Sequence, residues 1–128
     1  MEYLLDTSGL IAYLSNEKEA DEVSKVIKKS ALPFAALSEI YYIIWKKKGE
    51  SEADNIYGLI KSWGLPILLP DEGIILLAGR LKAVFKLGMA DSYIAALSLD
   101  RNLTLVTKDK DYEILGNQIR ILWLRKSG

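Results

Sequence analysis

Short apolar runs alternate with longer helical patterns along the chain, and this alternation limits the possible folds more than any other feature of the sequence. The apolar runs are bounded by turn residues or charges and are too short for buried helices, so they predict strands. Strands or extended pieces are predicted at residues 2–6, 32–36, 65–70, 103–107 and 119–124. Strands that are separated by helices favour parallel pairing, with helices on both faces of the sheet. We therefore predict a three-layer α/β/α fold, with a central, mostly parallel sheet and a single domain over residues 1–128.

The helices are predicted from apolar residues at helical spacing and from the residues that begin and end them. They are expected at residues 8–15, 17–30, 38–48, 51–63, 72–86, 92–99 and 111–115. Most acidic residues have an ordinary place in this scheme, because Asp71 is expected to cap one helix and Glu50 to begin another. Glu17 and Glu19, like their acidic neighbours, are expected on the solvated face of the second helix.

Neither cysteine nor histidine occurs in the chain, and this double absence excludes several kinds of active site. A Ser-His triad, a cysteine nucleophile, a histidine base and a Cys/His zinc site each require one of these residues. An enzyme of this composition must rely on carboxylates, hydroxyls, lysines and metals with oxygen ligands. The 17 basic and 17 acidic residues balance, so an anionic partner has to bind at local basic patches.

The sequence has no feature that is typical of a membrane or secreted protein. No apolar stretch approaches the ~20 residues that a membrane helix needs. The N-terminus carries Glu2 and Asp6 where a secretory signal has a basic start. Together with the lack of cysteine, these observations predict a cytoplasmic protein with no membrane partner.

Four acidic residues differ from the rest because their close neighbours are mostly apolar. Asp6 and Asp109 follow predicted strands, while Glu39 and Asp91 begin strongly apolar helices. Ligands bind at the carboxyl ends of parallel strands, so we expect all four carboxylates at one edge of the sheet. Taken singly, each of these residues has another interpretation, as a helix cap or as a partner of a helix dipole.

Carboxylates that share one edge of a sheet repel one another, and each raises the pKa of its neighbours. A divalent cation relieves this repulsion, and carboxylate oxygens suit Mg²⁺ or Mn²⁺. Such an ion polarises a phosphoryl oxygen and activates water near neutral pH. The acidic residues therefore predict a metal site with phosphate chemistry, which needs neither histidine nor cysteine.

Three segments carry a resemblance to a known family: LLDTSGLIAYL, SEIYY and LGMADSYIAALSLDRNLTLVTKDKDY. In their order and spacing the chain resembles the PIN-domain ribonucleases, in particular the small VapC-type toxins of toxin–antitoxin pairs. The last segment is the most specific, because an Asp begins an Ala-rich helix and the next strand ends in Thr-x-Asp-x-Asp and an aromatic residue. The resemblance implies a PIN-like fold over nearly the full chain.

The resemblance also implies roles for individual residues. The implied catalytic and metal-binding residues, for Mg²⁺ or alternatively Mn²⁺, are Asp6, Glu39, Asp91 and Asp109. The residues implied to orient these carboxylates or water are Thr7, Ser8, Thr107 and Asp111. Asp6 and Asp91 would be the most direct ligands, and Asp111 has a second interpretation as a helix cap. Tyr112 stands where the family commonly has Phe, which we interpret as a packing change.

The activity that the resemblance implies is metal-dependent hydrolysis of RNA phosphodiester bonds, with RNA as the substrate. It further implies a homodimer and a small antitoxin that covers the acidic site. Two alternatives stay open: a non-catalytic binding module with this fold, and another Mg²⁺-dependent phosphate-handling α/β domain. A receiver domain needs an acidic pair after its first strand, and a haloacid-dehalogenase-like phosphatase needs an Asp where Ser8 stands, so LLDTS fits both less well.

Two apolar helical stretches and several basic residues are candidates for contacts with partners. Residues 40–45 read IYYIIW, and one core-facing side of a helix cannot accommodate six consecutive apolar residues. This helix is either wholly buried or part of a protein interface, and we favour the interface, as we do for the apolar residues of 74–85. The basic candidates for RNA contact are Lys46, Lys47, Lys48, Arg80, Lys108 and Lys110.

Overall fold

A five-stranded parallel sheet forms the centre of the protein in the computed structural model, which describes residues 1–125. The strands are β1 (Tyr3–Leu5), β2 (Ser30–Pro33), β3 (Ile67–Leu68), β4 (Thr104–Thr107) and β5 (Ile121–Trp123). Their order across the sheet is β3-β2-β1-β4-β5, and each neighbouring pair runs parallel. The predicted fold class, α/β with a parallel central sheet, is therefore confirmed.

Helices connect the strands and bury the apolar residues of the sheet. The α-helices are α1 (Thr7–Leu14), α2 (Ala20–Val26), α3 (Phe34–Lys48), α4 (Glu50–Ser62), α5 (Glu72–Phe85) and α6 (Met89–Arg101). Short 3₁₀ helices span Ile27–Lys29 and Lys110–Gln118. Within residues 1–125, no helix combines the length and the apolar character that crossing a bilayer requires.

Strand β1 lies in the middle of the sheet, between β2 and β4. Its residues Leu4 and Leu5 are fully buried, and Leu4 pairs with Ala31 on one side and Leu105 on the other. Because all strands run in the same direction, their carboxyl ends meet at one edge of the sheet. Asp6 follows β1 directly and therefore stands at the centre of that edge.

The start of α3 differs from the prediction. The extended piece predicted at 32–36 ends at Pro33, which precedes the helix in an extended conformation, and the helix begins at Phe34. Proline is well suited to this place because its missing N–H falls where a helix has no partner for it. The apolar run after Pro33 is short and packs in the core, so its hydrophobicity alone did not distinguish a strand from a helix. Glu39 consequently lies in the second turn of α3 and does not begin the helix.

Helix α6 also begins earlier than predicted. Gly88 precedes its first turn, and Asp91 is the third helical residue rather than the cap. The interpretation of Asp91 as a cap is therefore wrong, while its place in the first turn agrees with the prediction. By contrast, the predicted cap at Asp71 is confirmed, because its carboxylate accepts a hydrogen bond from the Ile74 N–H at 2.9 Å.

The predicted helix over 17–30 divides into α2, a 3₁₀ turn and the first residue of β2. Glu19 is 4 % exposed, so its expected place on a solvated face is wrong. The reason is an ion pair: the Nζ of Lys108 lies 3.6 Å from Glu19 and 2.9 Å from Glu17. This long-range contact joins the loop before α2 to the end of β4.

Helices α3 and α4 pack against each other, and a hydrogen bond between two side chains also joins them. The Tyr41 hydroxyl donates to Asp54 at 2.5 Å, and this bond raises the pKa of Tyr41 to about 12. Ile40 is buried, but Tyr42 is 58 % and Trp45 is 45 % exposed. The helix over residues 40–45 is therefore not wholly buried, and it presents aromatic side chains to the outside.

Candidate metal centre

Asp6 is held at the edge of the sheet by three side-chain hydrogen bonds. Its Oδ1 accepts from the Ser8 hydroxyl at 2.7 Å and from the Gly9 N–H at 2.9 Å, and its Oδ2 accepts from Thr107 at 2.5 Å. The bond to Gly9 makes Asp6 the cap of α1, as one interpretation of the sequence had it. Asp6 thus caps a helix and also faces the other acidic residues, so the two interpretations are compatible.

Gly9 allows α1 to approach the sheet at this point. A Cβ atom on Gly9 would collide with the Leu5 side chain and lie 3.4 Å from the Val106 carbonyl oxygen. The absence of a side chain therefore lets the first turn of α1 lie against β1 and β4. This close approach brings the Ser8 hydroxyl within 3.2 Å of the Thr107 hydroxyl.

The hydroxyls named in the sequence analysis all contact the acidic residues or the loop that carries them. Thr107 accepts the Asp109 N–H at 2.9 Å while it donates to Asp6, and Ser8 accepts the Lys108 N–H at 3.0 Å. Thr7 donates to Glu39 at 2.8 Å, which fixes one oxygen of that carboxylate. These three hydroxyls therefore tie β1, β4 and α3 together around the site.

Three carboxylates form the closest group at this edge. Oxygen atoms of Asp91, Asp109 and Asp111 lie within 4.8 Å of one another. Asp109 caps the 3₁₀ helix after β4, because it accepts the Asp111 N–H at 2.9 Å. Asp111 is therefore not the cap, and its own carboxylate belongs to the group. Asp6 and Glu39 border the group. The charge of Asp109 raises the pKa of Asp6, and the charge of Glu39 raises the pKa of Asp91.

Asp6 and Asp91 hold protons more tightly than ordinary aspartates. Burial raises the pKa of Asp6 to about 6, although its hydrogen bonds to Thr107, Gly9 and Ser8 oppose this rise. Burial also raises the pKa of Asp91 to about 6, and the negative charges of Asp109, Glu39 and Asp111 add to the effect. Both shifts mean that the fully ionised site is costly in the absence of a positive charge.

Tyr112 contacts the acidic group, and this contact was not predicted from the sequence. It is fully buried, and its hydroxyl donates to Asp91 Oδ1 at 3.2 Å. Burial and the charges of Asp6, Asp91 and Asp109 raise the pKa of this hydroxyl, so it stays protonated and remains a donor. The sequence did contain a signal for this contact, because Tyr112 carries a hydroxyl where the family that the chain resembles commonly has Phe. Tyr112 is therefore more than a packing substitution.

Lys108 directly precedes Asp109 of the acidic group in the chain, but its charge is already paired. Its ammonium contacts Glu17 and Glu19, and these contacts raise its pKa. Lys108 is therefore occupied in holding the loop after β4 and does not neutralise the site. Its predicted role in RNA contact is not favoured by this arrangement.

The chemistry of the site suits a hard divalent cation. The donors at its centre are carboxylate oxygens, which Mg²⁺ and Mn²⁺ prefer over nitrogen or sulfur ligands. Burial, together with the charges of neighbouring carboxylates, raises the pKa values of Asp6 and Asp91, and a bound cation would favour their ionised forms. Asp91, Asp109 and Asp111 are the residues best placed to hold such an ion directly.

Comparison with known proteins agrees with this description. A family model described as the PIN domain matches residues 3–117 of the chain. The fold is similar to DNA-bound VapBC from Salmonella typhimurium (TM-score 0.80, 22 % identity, 98 % of this chain and 99 % of that one). It is also similar to VapBC-1 from nontypeable Haemophilus influenzae (TM-score 0.76, 22 % identity, 97 % and 98 %). A toxin–antitoxin complex from Klebsiella pneumoniae gives a TM-score of 0.74 at 18 % identity, over 98 % and 100 % of the two chains.

The similarity to these solved structures concerns the fold, since the identities are low. A search of curated protein sequences gave no match.

Proposed function

The chain belongs to the PIN-domain family, and from this premise we propose that it is a metal-dependent endoribonuclease, the toxin of a toxin–antitoxin pair. The observation that carries the proposal is the group formed by Asp91, Asp109 and Asp111, whose oxygens lie within 4.8 Å of one another. The raised pKa values of Asp6 and Asp91 support it, because they indicate a site that gains from a bound cation. The proposed ion is Mg²⁺, with Mn²⁺ as the alternative.

Each residue has a distinct part in the proposed reaction. Asp91, Asp109 and Asp111 hold the cation, which when bound acts as a Lewis acid and lowers the pKa of water. Glu39 accepts a hydrogen bond from Thr7 at one oxygen, so its other oxygen is available to accept a proton from water. Asp6 is bound by three donors and fixes the positions of Ser8, Thr107 and the loop after β4.

This assignment changes the ranking that the resemblance implies. Asp6 is expected there to be a direct ligand, but both of its oxygens already accept hydrogen bonds. Asp111, expected to assist Asp109, has its carboxylate in the central group. We therefore propose Asp111 as a ligand of the cation. Asp6 mainly orients the site, and its role as a ligand is the lesser one.

The test is incubation of the purified protein with mixed RNAs in Mg²⁺, in Mn²⁺ and in chelator. We expect cleavage with either ion and none with chelator. A non-catalytic binding module, the alternative with this fold, would bind RNA or metal without cleavage. A receiver-like or phosphatase-like domain would instead act on small phosphorylated compounds and leave RNA intact.

Removal of the Tyr112 hydroxyl gives a specific prediction for the site. Tyr112→Phe keeps the buried ring but leaves Asp91 Oδ1 without its donor, so we expect Mn²⁺ affinity to fall by roughly 10- to 100-fold. Isothermal titration of the metal measures this without reference to activity. Tyr93→Phe is the matched control, because the Tyr93 ring packs against Phe34 and its hydroxyl has no partner among the described side chains. Equal affinities for the two variants would show that the hydroxyl does not position Asp91.

The proposed partners are a second copy of the chain and a small antitoxin, in the cytoplasm. Exposed apolar side chains on two helices support this part of the proposal. On α3 these are Tyr42 and Trp45, and on α5 they are Leu76, which is 67 % exposed, and Val84, which is 64 % exposed. Tyr42 and Trp45 lie about one turn apart on α3, and exposed apolar side chains that lie close together are typical of protein contacts.

The α3 surface can be tested separately from the metal site. Tyr42→Glu with Trp45→Glu places two charges on this surface but leaves the Tyr41–Asp54 bond in place, so the fold should persist. If the parent protein self-associates, we expect the double variant to sediment as a monomer. If the parent protein binds the antitoxin, we expect the double variant to lose that binding. Unchanged self-association and unchanged antitoxin binding would contradict the assignment of this surface. Lys47→Glu, on the same helix, is the control for added negative charge.

A further inference from the structure

A depression beside the acidic group combines one tryptophan with basic side chains. It has a volume of about 300 Å³ and is lined by Lys108, Lys110, Glu113, Trp123, Leu124 and Arg125. Trp123 is the last residue of β5, at the edge of the sheet, and its side chain is partly exposed. The functions described above for the acidic residues use none of Lys110, Trp123 and Arg125.

Residues that line this depression are neighbours of the candidate metal centre in the sheet and along the chain. Trp123 pairs with Thr107 across the β4–β5 ladder, and Thr107 donates to Asp6. Leu124 extends this pairing, because its N–H donates to the Thr107 carbonyl oxygen at 2.8 Å. On the other side, Lys108 and Lys110 flank Asp109 in the chain. A polymer that places a phosphate at the acidic group would therefore reach the depression along the loop after β4.

The charges in the depression favour a nucleotide over a simple anion. Lys108 is paired with Glu17 and Glu19, whereas no carboxylate in residues 1–125 lies within 4 Å of the charged groups of Lys110 or Arg125. Two cations are thus available for phosphate. Glu113 adds a negative charge that repels a free anion but can accept a hydrogen bond from the amino group of a base.

We infer that this depression binds an unpaired nucleotide of the RNA next to the scissile phosphate, with its base on Trp123 and its phosphate at Lys110 and Arg125. This inference rests on the proposed function, since it names a second contact of the same substrate. Aromatic side chains stack bases of single strands, and cations along the strand bind its phosphates. The backbone of this wall is fixed by the β4–β5 ladder and by a hydrogen bond from the Arg125 N–H to Glu22 at 3.0 Å. The inference also ranks Lys110 above the run Lys46–Lys48 for RNA contact.

The test measures RNA binding separately from cleavage. All variants are made in an Asp91→Asn background with Mg²⁺ present, and binding of a short labelled single-stranded RNA is followed by fluorescence anisotropy. We expect Trp123→Ala to weaken binding by about 5- to 150-fold, which corresponds to loss of one stacked base. Trp123→Phe, which keeps an aromatic ring and the packing of β5, should retain most of the affinity.

The basic side chains are tested by salt dependence. Lys110→Ala should reduce the slope of log affinity against log salt by about 0.7, the value for one phosphate contact on a single strand. The matched controls are Tyr57→Ala and Lys61→Ala, which remove an exposed aromatic and an exposed basic side chain from α4 and should bind RNA like the background protein. Both controls are exposed in the structure.

The outcomes distinguish failure of the proposed nucleotide site from failure of the proposed ribonuclease function. RNA cleavage by the parent protein with unchanged binding in Trp123→Ala and Lys110→Ala would overturn the nucleotide site and leave the ribonuclease intact. The same conclusion follows if the controls weaken binding as much as the depression variants, or if the background protein has no affinity while the parent cleaves. A parent protein that neither binds nor cleaves RNA would overturn both.

Discussion

Asp91→Asn is expected to lower the rate of Mg²⁺-dependent RNA cleavage by at least about 100-fold. Substitution of groups that only support metal ligands already costs roughly 10- to 100-fold, and Asp91 is proposed to be a ligand itself. The change removes a negative charge from the group with Asp109 and Asp111 but keeps the shape of the side chain. Initial rates of RNA cleavage at saturating Mg²⁺ measure the effect.

Asp100→Asn is the matched control for this substitution. Asp100 lies on the same helix, but it is exposed and contacts only the neighbouring Arg101 among the described ion pairs. Its substitution should leave the rate unchanged. Since burial raises the pKa of Asp91, loss of its charge should not destabilise the metal-free fold at neutral pH. Equal cleavage by Asp91→Asn and the parent protein would contradict the assignment of Asp91.

In the absence of metal, the protein is expected to lose stability as the pH rises from about 4 to 6. Asp6 has a pKa of about 6 in the folded protein and 3.8 as a model group, so the folded state keeps its proton where the unfolded state has lost it. The destabilisation of the folded state by Asp6 is absent below pH 3.8, grows between pH 3.8 and about 6, and is complete above about pH 6. For Asp6 this difference corresponds to about 3 kcal/mol of destabilisation. Ionisation of Asp91 also destabilises the folded state as the pH rises, but by less, because Asp91 is only partly buried.

Mg²⁺ or Mn²⁺ should reverse this loss above pH 6, because a bound cation stabilises the ionised carboxylates. Thermal unfolding between pH 4 and 8, with chelator and with metal, measures both effects. Ionisation of Asp6 and Asp91 should lower the unfolding temperature of the chelated protein as the pH rises from about 4 to 6, and the benefit of metal should grow with pH. Asp91→Asn should reduce that benefit, and Asp100→Asn should not. A benefit of metal that is equal at pH 4 and pH 8 would contradict the linkage.

The parallel sheet could be predicted from the sequence because each strand is a short apolar run and each connection has a helical pattern. The boundaries were less accurate where one apolar run continues from a strand into a helix, as at Pro33 and Phe34. Hydrophobicity does not separate the two conformations there. The place of Glu39 was shifted by this error, but its contact with Thr7 still brings it to the site.

The candidate site could be predicted as far as local patterns reach. Asp6 and Asp109 follow apolar strands, and the fold rule for parallel sheets places them at one edge. The contacts of Tyr112 with Asp91, and of Lys108 with Glu19, join residues far apart in the chain. Local sequence patterns do not determine such contacts. For the same reason, the sequence did not indicate that Glu19 is buried or that Trp123 lies beside Thr107.

Anomalous diffraction from crystals grown with Mn²⁺ is the most direct test of the proposed metal centre. We propose that carboxylates at the carboxyl edge of the sheet hold a divalent cation. We expect an anomalous peak in contact with the carboxylates of Asp91, Asp109 and Asp111, and loss of that peak in Asp91→Asn crystals. Peaks confined to other parts of the surface, or no peak at saturating Mn²⁺, would contradict the claim.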